Sequence, residues 1–526
     1  MSLLVSNIRL PFEQPEEEAL EQARRLTYLC GENVQTSIYR VSIDARHGSI
    51  FRVYTIRIDA PVEIESAIEQ RRLSNIRILP TQTLEIPCGK RKLLCRPIVV
   101  GLGPAGLFAA YFLSVHGYAP LILERGGTLE ERDEAVKDFW SNGTFHSDCN
   151  IQFGEGGAGA YSDGKLTTRI HDPLCTAVLE ILAAHGAPAE ILKQAKPHVG
   201  TDILKTVVRR MRQTIERHGG TVQFHTALTG VSIQNGVLCA VLTNQAEIPC
   251  QRAILAIGHS ARNTFHALYK NGISFEPKAF SVGVRIEHLQ SALDTALYGK
   301  YAGHPSLPPA EYHLSYRTKD RACYSFCMCP GGMVVAAQSE PEAIVTNGMS
   351  YHARDGKNAN AALVVSVSPA DFTDGTPFGG IVLQRRIEQA AFLQTRSYRA
   401  PCQSVGDFLG NGRSKNTVSP TYPLGIAYGD ALSCLPEFVR RMLQESLPYF
   451  GKKIRGFDTP DALLTAPETR TSSPIRISRG MDDFSPDCAG LIPCGEGAGY
   501  AGGILSAAVD GIHAAFCIME EFAPYG

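Results

Sequence analysis

"RPIVVGLGPAGLFAAYFLSVHGYAPLILERGG", residues Arg96–Gly127, decides how this chain folds. From Pro97 to Leu123 it has no Lys, Arg, Asp or Glu, a length that would suit a membrane span. Gly101, Gly103, Pro104, Gly106, Gly117 and Pro120 punctuate it, however. A buried strand over Pro97–Val100, a tight turn, an apolar helix and a second strand ending at Glu124 explain the same apolarity, and no span is expected.

In Gly101-x-Gly103-x-x-Gly106, Gly101 permits the sharp turn and Gly103 lets backbone approach a pyrophosphate. Gly106 brings helix and strand close. Pro104 and Ala105 start the helix, whose free amides and partial positive charge suit phosphates. Glu124 stands where a carboxylate accepts hydrogen bonds from both hydroxyls of an adenosine ribose, with Arg125 beside it in the same site. An acid there disfavours NADP and leaves FAD or NAD.

Two further glycine-rich stretches choose between them. "FGEGGAGAYSDGK" begins at Phe153 and "CGEGAGYAGG" at Cys494. They are spelled alike yet lie more than three hundred residues apart. The reading is two walls on one ligand. The first, with Gly156, Gly157, Ala158, Ser162, Asp163 and Lys165, lines the pyrophosphate and isoalloxazine. The second, with Gly495, Glu496, Ala501, Gly502 and Gly503, closes the ribityl and ring side. Glycines let backbone meet a flat ring without intervening Cβ atoms. "RAILAIGHSAR" (Arg252–Arg262) is a hydrophobic strand ending at Gly258, the kind of strand that flavin disulfide reductases and their relatives place beside the dinucleotide. A tightly held, non-covalent FAD is expected. No further GxGxxG with a following acid is present, so NAD(P)H would bind only transiently, as a donor.

Composition agrees with a soluble globular protein: 526 residues, 44% hydrophobic, 20% charged, net charge -1. The neutral balance gives no reason to expect DNA, and residues 1–96, with 14 Lys/Arg against 12 Asp/Glu, form no basic arm, so RNA is not expected either. Fifteen scattered cysteines without a C-x-x-C pair suit a reducing compartment. The start lacks a basic region before an apolar core, so no signal peptide is read and the cytoplasm is expected.

The predicted fold class is α/β: a Rossmann-like FAD-binding domain of the glutathione-reductase type, an inserted α+β substrate domain and a small N-terminal α+β domain. The expected boundaries are 1–92 for the small domain, ferredoxin-like in pattern, 93–264 and 481–526 for the two parts of the FAD-binding domain, and 265–480 for the substrate domain. Helical spacing over Glu16–Cys30 and period-two strands in "SIYRVSID" and "FRVYTIRID" support the first. "TDILKTVVRRMRQTIERHGG" reads as a helix capped by Thr201 or Asp202 and ended by Gly219, and Asn235-Gly236 as a hairpin turn.

With these residues in view the chain resembles a family of FAD-dependent dehydrogenases found in bacteria and plants, often described as NAD(P)/FAD-dependent oxidoreductases. The resemblance covers most of the chain and rests on "GLGPAGLFAA", "QFGEGGAGAYSDGKL", "KPHVGTD", "GVRIEH", "CMCPGG", "GMSYHARDGKNAN", "ETRTSSP" and "PCGEGAGYAGGILSAAVDGI". It implies FAD and redox chemistry and supplies no substrate.

Candidates for that chemistry are Cys327 and Cys329 in "CYSFCMCPGG", where a thiolate beside flavin could relay electrons; small buried thiols in a strand and turn are the plainer reading of the same letters. The C-x3-C-x-C spacing matches no standard metal pattern, and no metal is expected. In "NGMSYHARDGKNANAA", either a surface loop or a pocket lining, His352 is the candidate proton donor and Arg354 the anion clamp. Glu468 and Arg470 in "ETRTSSP" are adjacent enough to form an internal ion pair, with structural bracing and flavin-side positioning as equal readings. His259 and His198 read as structural.

The resulting expectation is an FAD oxidoreductase acting on a small-molecule substrate, with oligomeric state unread. Two alternatives stand beside it: a flavin-containing RNA- or protein-binding factor using residues 1–90, and a lipid or isoprenoid reductase.

Overall fold

A computed structural model describes residues 2–27, 34–59, 75–79, 84–372, 374–412, 414–480 and 484–525. Its centre is a five-stranded, all-parallel sheet assembled from distant parts of the chain. The order is Leu491–Pro493, Ala253–Leu255, Ile98–Val100, Leu121–Leu123, Thr221–Gln223. Each strand has three residues, and those in the middle of the sheet are wholly apolar and, apart from the half-buried Leu121, buried. Parallel strands covered on both faces read as short apolar runs of this kind.

Gly101 has φ +97° and ends the first strand. The helix Pro104–Val115 follows, with Gly103 as its N-cap and proline in its first turn. A Cβ on Gly106 would lie 1.9 Å from the Gly101 carbonyl oxygen, so helix and strand meet at van der Waals contact of the backbone. The C-terminal helix Ile504–Glu521 crosses the same helix, where a Cβ on Gly511 would lie 2.0 Å from the Ala105 carbonyl oxygen. First and last parts of the chain are thereby fixed to each other.

The hairpin at Asn235-Gly236 has both residues at positive φ, +52° and +76°, as a type I′ turn requires. It joins two strands of a three-stranded antiparallel sheet spanning Leu228–Pro249. The helix Thr201–Arg217 starts differently from the sequence expectation: its N-cap is Gly200. Thr201 Oγ1 donates instead to the Ala160 carbonyl at 2.6 Å, and Asp202 Oδ1 accepts from the His352 amide at 2.9 Å. Both polar side chains tie the helix to neighbouring loops, and its own first turn goes uncapped by them.

Between Phe275–Pro277 and Ile475–Ile477, two short strands that pair with each other, the chain builds a seven-stranded mixed sheet. The long strands Phe280–Leu289 and Asn358–Val367 run antiparallel at its centre. N-terminal to all this, four antiparallel strands stand in the order Gln35–Asp44, Phe51–Asp59, Ser2–Pro11, Ile76–Leu79, with the helix Glu16–Thr27 against them. A second crossover over residues 60–74, which a ferredoxin-like unit would need, lies outside the described residues. Val41 exchanges backbone hydrogen bonds with Lys193 and Ala195, docking this unit on the rest. Among the described residues no helix is long and apolar enough to cross a membrane.

Candidate functional site

One cavity of about 1200 Å³ opens at the carboxyl ends of the parallel strands, where α/β sheets bind ligands. Both glycine stretches line it, together with the Gly101–Ala105 turn and the Gly258 strand end. Each wall packs backbone on backbone against the sheet's end: a Cβ on Gly157 of the first wall would lie 2.8 Å from Gly103 Cα in the turn, and one on Gly497 of the second would lie 2.5 Å from the Gly258 carbonyl oxygen.

Of the residues assigned to the cofactor from sequence, Gly103, Pro104, Ala105, Arg125, Ala158 and Ser162 line one side. Gly495, Glu496, Ala501, Gly502 and Gly503 line the other. Gly106 and Gly156 do not reach the cavity. Gly106 sits behind the turn against Gly101, and Gly156, at φ +85°, donates its amide to the Leu102 carbonyl.

Glu124 is 5% exposed and lines the cavity. Its Oε1 accepts from the amides of Gly126 and Gly154, both at 2.9 Å, and its Oε2 from Leu102 at 2.8 Å. The carboxylate thus ties the Gly101–Gly106 turn to the first glycine wall. Two donors fill Oε1, so one acceptor position remains, on Oε2. Beneath, the buried Arg132 donates to the carbonyls of Asn150, Ile151 and Glu155 at 2.6–2.8 Å, pinning the first wall from behind.

Asp163 lies at the cavity, and three donors leave one free acceptor position on its oxygens. Arg354 donates to both of them and the Ser350 hydroxyl to one. That pairing corrects the expected role of Arg354: the guanidinium braces the first wall and does not line the cavity. His352 is not in the lining either. Its ring packs on His198 with centroids 5.2 Å apart, and its Nδ1 lies 3.1 Å from the Val199 carbonyl. The "NGMSYHARDGKNANAA" segment reaches the cavity only through Asn347.

Glu468 and Arg470 do not pair with each other. The strand Leu463–Glu468 ends between them, and each meets an opposite charge of its own. Arg470 donates to Glu388 at 2.9 and 3.0 Å, and Arg262 binds the same carboxylate at 3.1 Å. Arg470 Nη1 also reaches Ser260 Oγ at 2.8 Å, at the cavity edge beside His259. Burial and the nearby Arg470 and Arg262 hold the His259 ring well below its ordinary pKa and therefore neutral.

Glu468 is 3% exposed, 3.7 Å from Arg285, and its Oε2 has no hydrogen-bond partner. Burial pushes its carboxyl up to about 7 against the pull of Arg285. Arg285 is itself fully buried, and donates to the Cys327 carbonyl at 3.2 and 3.3 Å. Cys327 lines the cavity, and Cys329 lies buried behind it. Lys165 crosses from the first wall, donates to the Met328 carbonyl, and is 3.6 Å from Glu311. Arg285 and Glu388 were missed from sequence. The available signal was charge inside apolar runs, as in "FSVGVRIEHL".

The raised carboxyl has a consequence for pH. Folded Glu468 binds its proton up to about 7, whereas its ordinary value is 4.5. Between those values the folded state holds a proton that the unfolded state has lost. Its stabilisation is thus full below about 4.5 and disappears as pH rises through 7. Glu468→Gln should flatten that part of the urea-midpoint-against-pH curve; an unchanged slope would remove Glu468 as its source.

Turn, sheet and cavity define an α/β protein built around a dinucleotide-sized site. Residues 279–471 match the family model described as FAD-dependent protein, C-terminal domain-like. A Clostridium beijerinckii protein, described as an uncharacterized protein, is 44% identical over 531 residues and covers 99% of each chain. The chain belongs to the same family, one of FAD-dependent proteins. Among solved structures, CtdE in complex with FAD overlaps at 14% identity over 82% of this chain and 85% of that one, TM-score 0.33. Glycine oxidase from Bacillus cereus overlaps at 11% over 81% and 95%, TM-score 0.34. L-amino acid deaminase from Proteus vulgaris overlaps at 11% over 84% and 99%, TM-score 0.36. Superpositions this loose carry no argument about fold or chemistry.

Proposed function

We propose that this flavoprotein is an FAD-dependent oxidoreductase acting on a small polar substrate, with NADH or NADPH as a transient electron donor. The observation that carries the reading is the cradle itself: two glycine loops more than three hundred residues apart line one cavity, each packed through bare backbone on a turn or strand end of the parallel sheet, and Glu124 ties the turn and first loop together with an acceptor position left over. A cavity of about 1200 Å³ exceeds the roughly 300–1,000 Å³ of ordinary small-ligand pockets, leaving room for a substrate beside a dinucleotide. Gly101, Gly103 and the start of the helix at Pro104 would hold the pyrophosphate, Glu124 one ribose hydroxyl, and Gly157 and Gly502 the flat faces of the ring system.

When bound, the flavin supplies the two-electron chemistry. The chain supplies the rest. Its walls exclude water, and Glu468 and Glu496, both pushed up to about 7 by burial, are acids able to hold or release a proton at the cavity surface near neutral pH. The outer end is lined by Lys196, Glu311, His313, Ser315 and Arg317, which suits a polar or anionic substrate better than an isoprenoid chain.

The test is anaerobic mixing of the yellow protein with NADH and, separately, with NADPH. One of the two is expected to bleach the flavin absorbance. If neither does, the nicotinamide donor is wrong.

A further inference from the structure

Cys327 and Cys329 occupy an irregular piece of an otherwise regular sheet. In the pairing of Ala322–Cys329 with Asn358–Val367, Phe326 stands opposite Ala362 and Cys329 opposite Asn360. One extra residue is therefore inserted, a β-bulge. Within it Cys327 has φ +42°, a left-handed conformation that costs a non-glycine residue on the order of 1–2 kcal/mol. In a regular strand, residues two apart share a face. Here the bulge turns Cys327 to the cavity and leaves Cys329 behind it, with Sγ 3.4 Å from the Cys327 carbonyl oxygen.

Two cations from different parts of the chain converge on this bulge. Arg285, from the centre of the seven-stranded sheet, binds the carbonyl of Cys327 and lies 3.9 Å from Cys329 Sγ. Lys165, from the first glycine wall, binds the carbonyl of Met328. Thiols that merely fill space need neither. Cys323, Cys402 and Cys434 are buried in the same sheet and its covering elements, and burial pushes each up to about 12. Cys327 moves the opposite way: the neighbouring Cys329 thiol, Arg285 and Lys165 pull it down, together overcoming burial. Cys329 is pushed up in return. A thiolate and a thiol side by side are the two halves of a dithiol at the stage before bridging.

We propose that Cys327 and Cys329 are a dithiol–disulfide couple that exchanges two electrons with the flavin of this cavity. The inference rests on the flavin reading above. In the oxidising direction Cys327 enters as thiolate and Cys329 as thiol. One Sγ–Sγ bond forms and the Cys329 S–H bond breaks. Two electrons and that single proton pass to the isoalloxazine, which takes up two electrons and one proton on becoming its reduced anion, so the total charge is unchanged. In the other direction, reduced flavin opens the bridge.

The experiment uses the purified full-length holoprotein, held without oxygen in glutathione buffers of graded ratio and quenched with an alkylating agent. Mass spectrometry follows the peptide carrying both cysteines while absorbance follows the flavin. The expected result is a single transition from a doubly alkylated peptide to one lighter by two hydrogens and carrying no alkyl group. Cys327→Ser and Cys329→Ser should each lose the bridged peptide, and Cys329→Ser should instead trap glutathione on Cys327. Yellow protein whose peptide stays doubly alkylated at every ratio, or whose Cys327 bridges a cysteine other than Cys329, overturns the couple alone. Colourless protein that does not take up FAD overturns the flavin reading and the couple with it.

Discussion

Glu388→Ala is expected to lower stability by about 3–5 kcal/mol, the loss that follows when one member of a buried ion cluster is removed and its partners stay charged. Glu388 is fully buried on the helix Gly379–Thr395 and accepts four hydrogen bonds from Arg262 and Arg470. Arg262 would keep Glu340, but Arg470 would keep only the hydroxyls of Ser260 and Ser339. Two guanidinium groups would then face each other inside the protein. Burial alone would raise the Glu388 carboxyl, yet Arg262 and Arg470 hold it well below the carboxylate range. A depressed value means stabilisation that is full above the ordinary pKa of 4.5 and is lost as pH falls through the folded value. The wild type should therefore weaken steeply in acid, and Glu388→Ala should start lower and weaken less. Urea denaturation at several pH values checks both. Glu388→Gln, which keeps the size and one acceptor, should fall between the two. A loss under about 1 kcal/mol for Glu388→Ala would mean that the cluster contributes no more than surface pairs do.

Gly157→Ala is expected to weaken FAD binding by about thirtyfold or more while leaving the protein folded. Gly157 has φ +59° and ψ -166°, a region that only glycine populates readily, and forcing another residue into it costs about 1–3 kcal/mol. The added Cβ would also lie 2.8 Å from Gly103 Cα, a backbone atom that cannot swing aside. Relief requires the first wall to draw away from the turn, which spoils the surface on which a pyrophosphate would lie. At 1.4 kcal/mol per decade, a loss of about 2 kcal/mol or more gives the stated factor. Fluorescence titration of FAD into the variant measures it, and an affinity within threefold of wild type would show that the two loops need not touch.

The site was legible in sequence where chemistry demands a local pattern. Gly101, Gly103 and Glu124 are spaced by the turn, the helix and the second strand, so their joint placement follows from adjacent residues. The two glycine walls were legible because backbone packed on backbone excludes side chains, and glycine is the visible trace of that exclusion. The buried charges were not. Glu388 meets Arg262 and Arg470 from positions more than eighty residues away, and Arg285 meets Glu468 across two strands of a sheet; opposite charges that pair only after folding leave no spacing to read. The same limit explains the misplaced partners. Arg354 was read as an anion clamp and Glu468 against its sequence neighbour Arg470, but Asp163 and Arg285 are the groups that folding delivers to them.

The proposed function requires the cavity to accept one flavin dinucleotide, and Gly502 allows this to be tested apart from folding. A Cβ on Gly502 would meet no protein atom within 4 Å, yet the residue lines the cavity. The decisive measurement is titration of FAD into protein stripped of flavin, wild type and Gly502→Val side by side, read by quenching of flavin fluorescence. Saturation of the wild type at one equivalent, with affinity lost in an equally stable Gly502→Val, is the predicted result. A stable, folded wild type that leaves FAD fluorescence unquenched would contradict it.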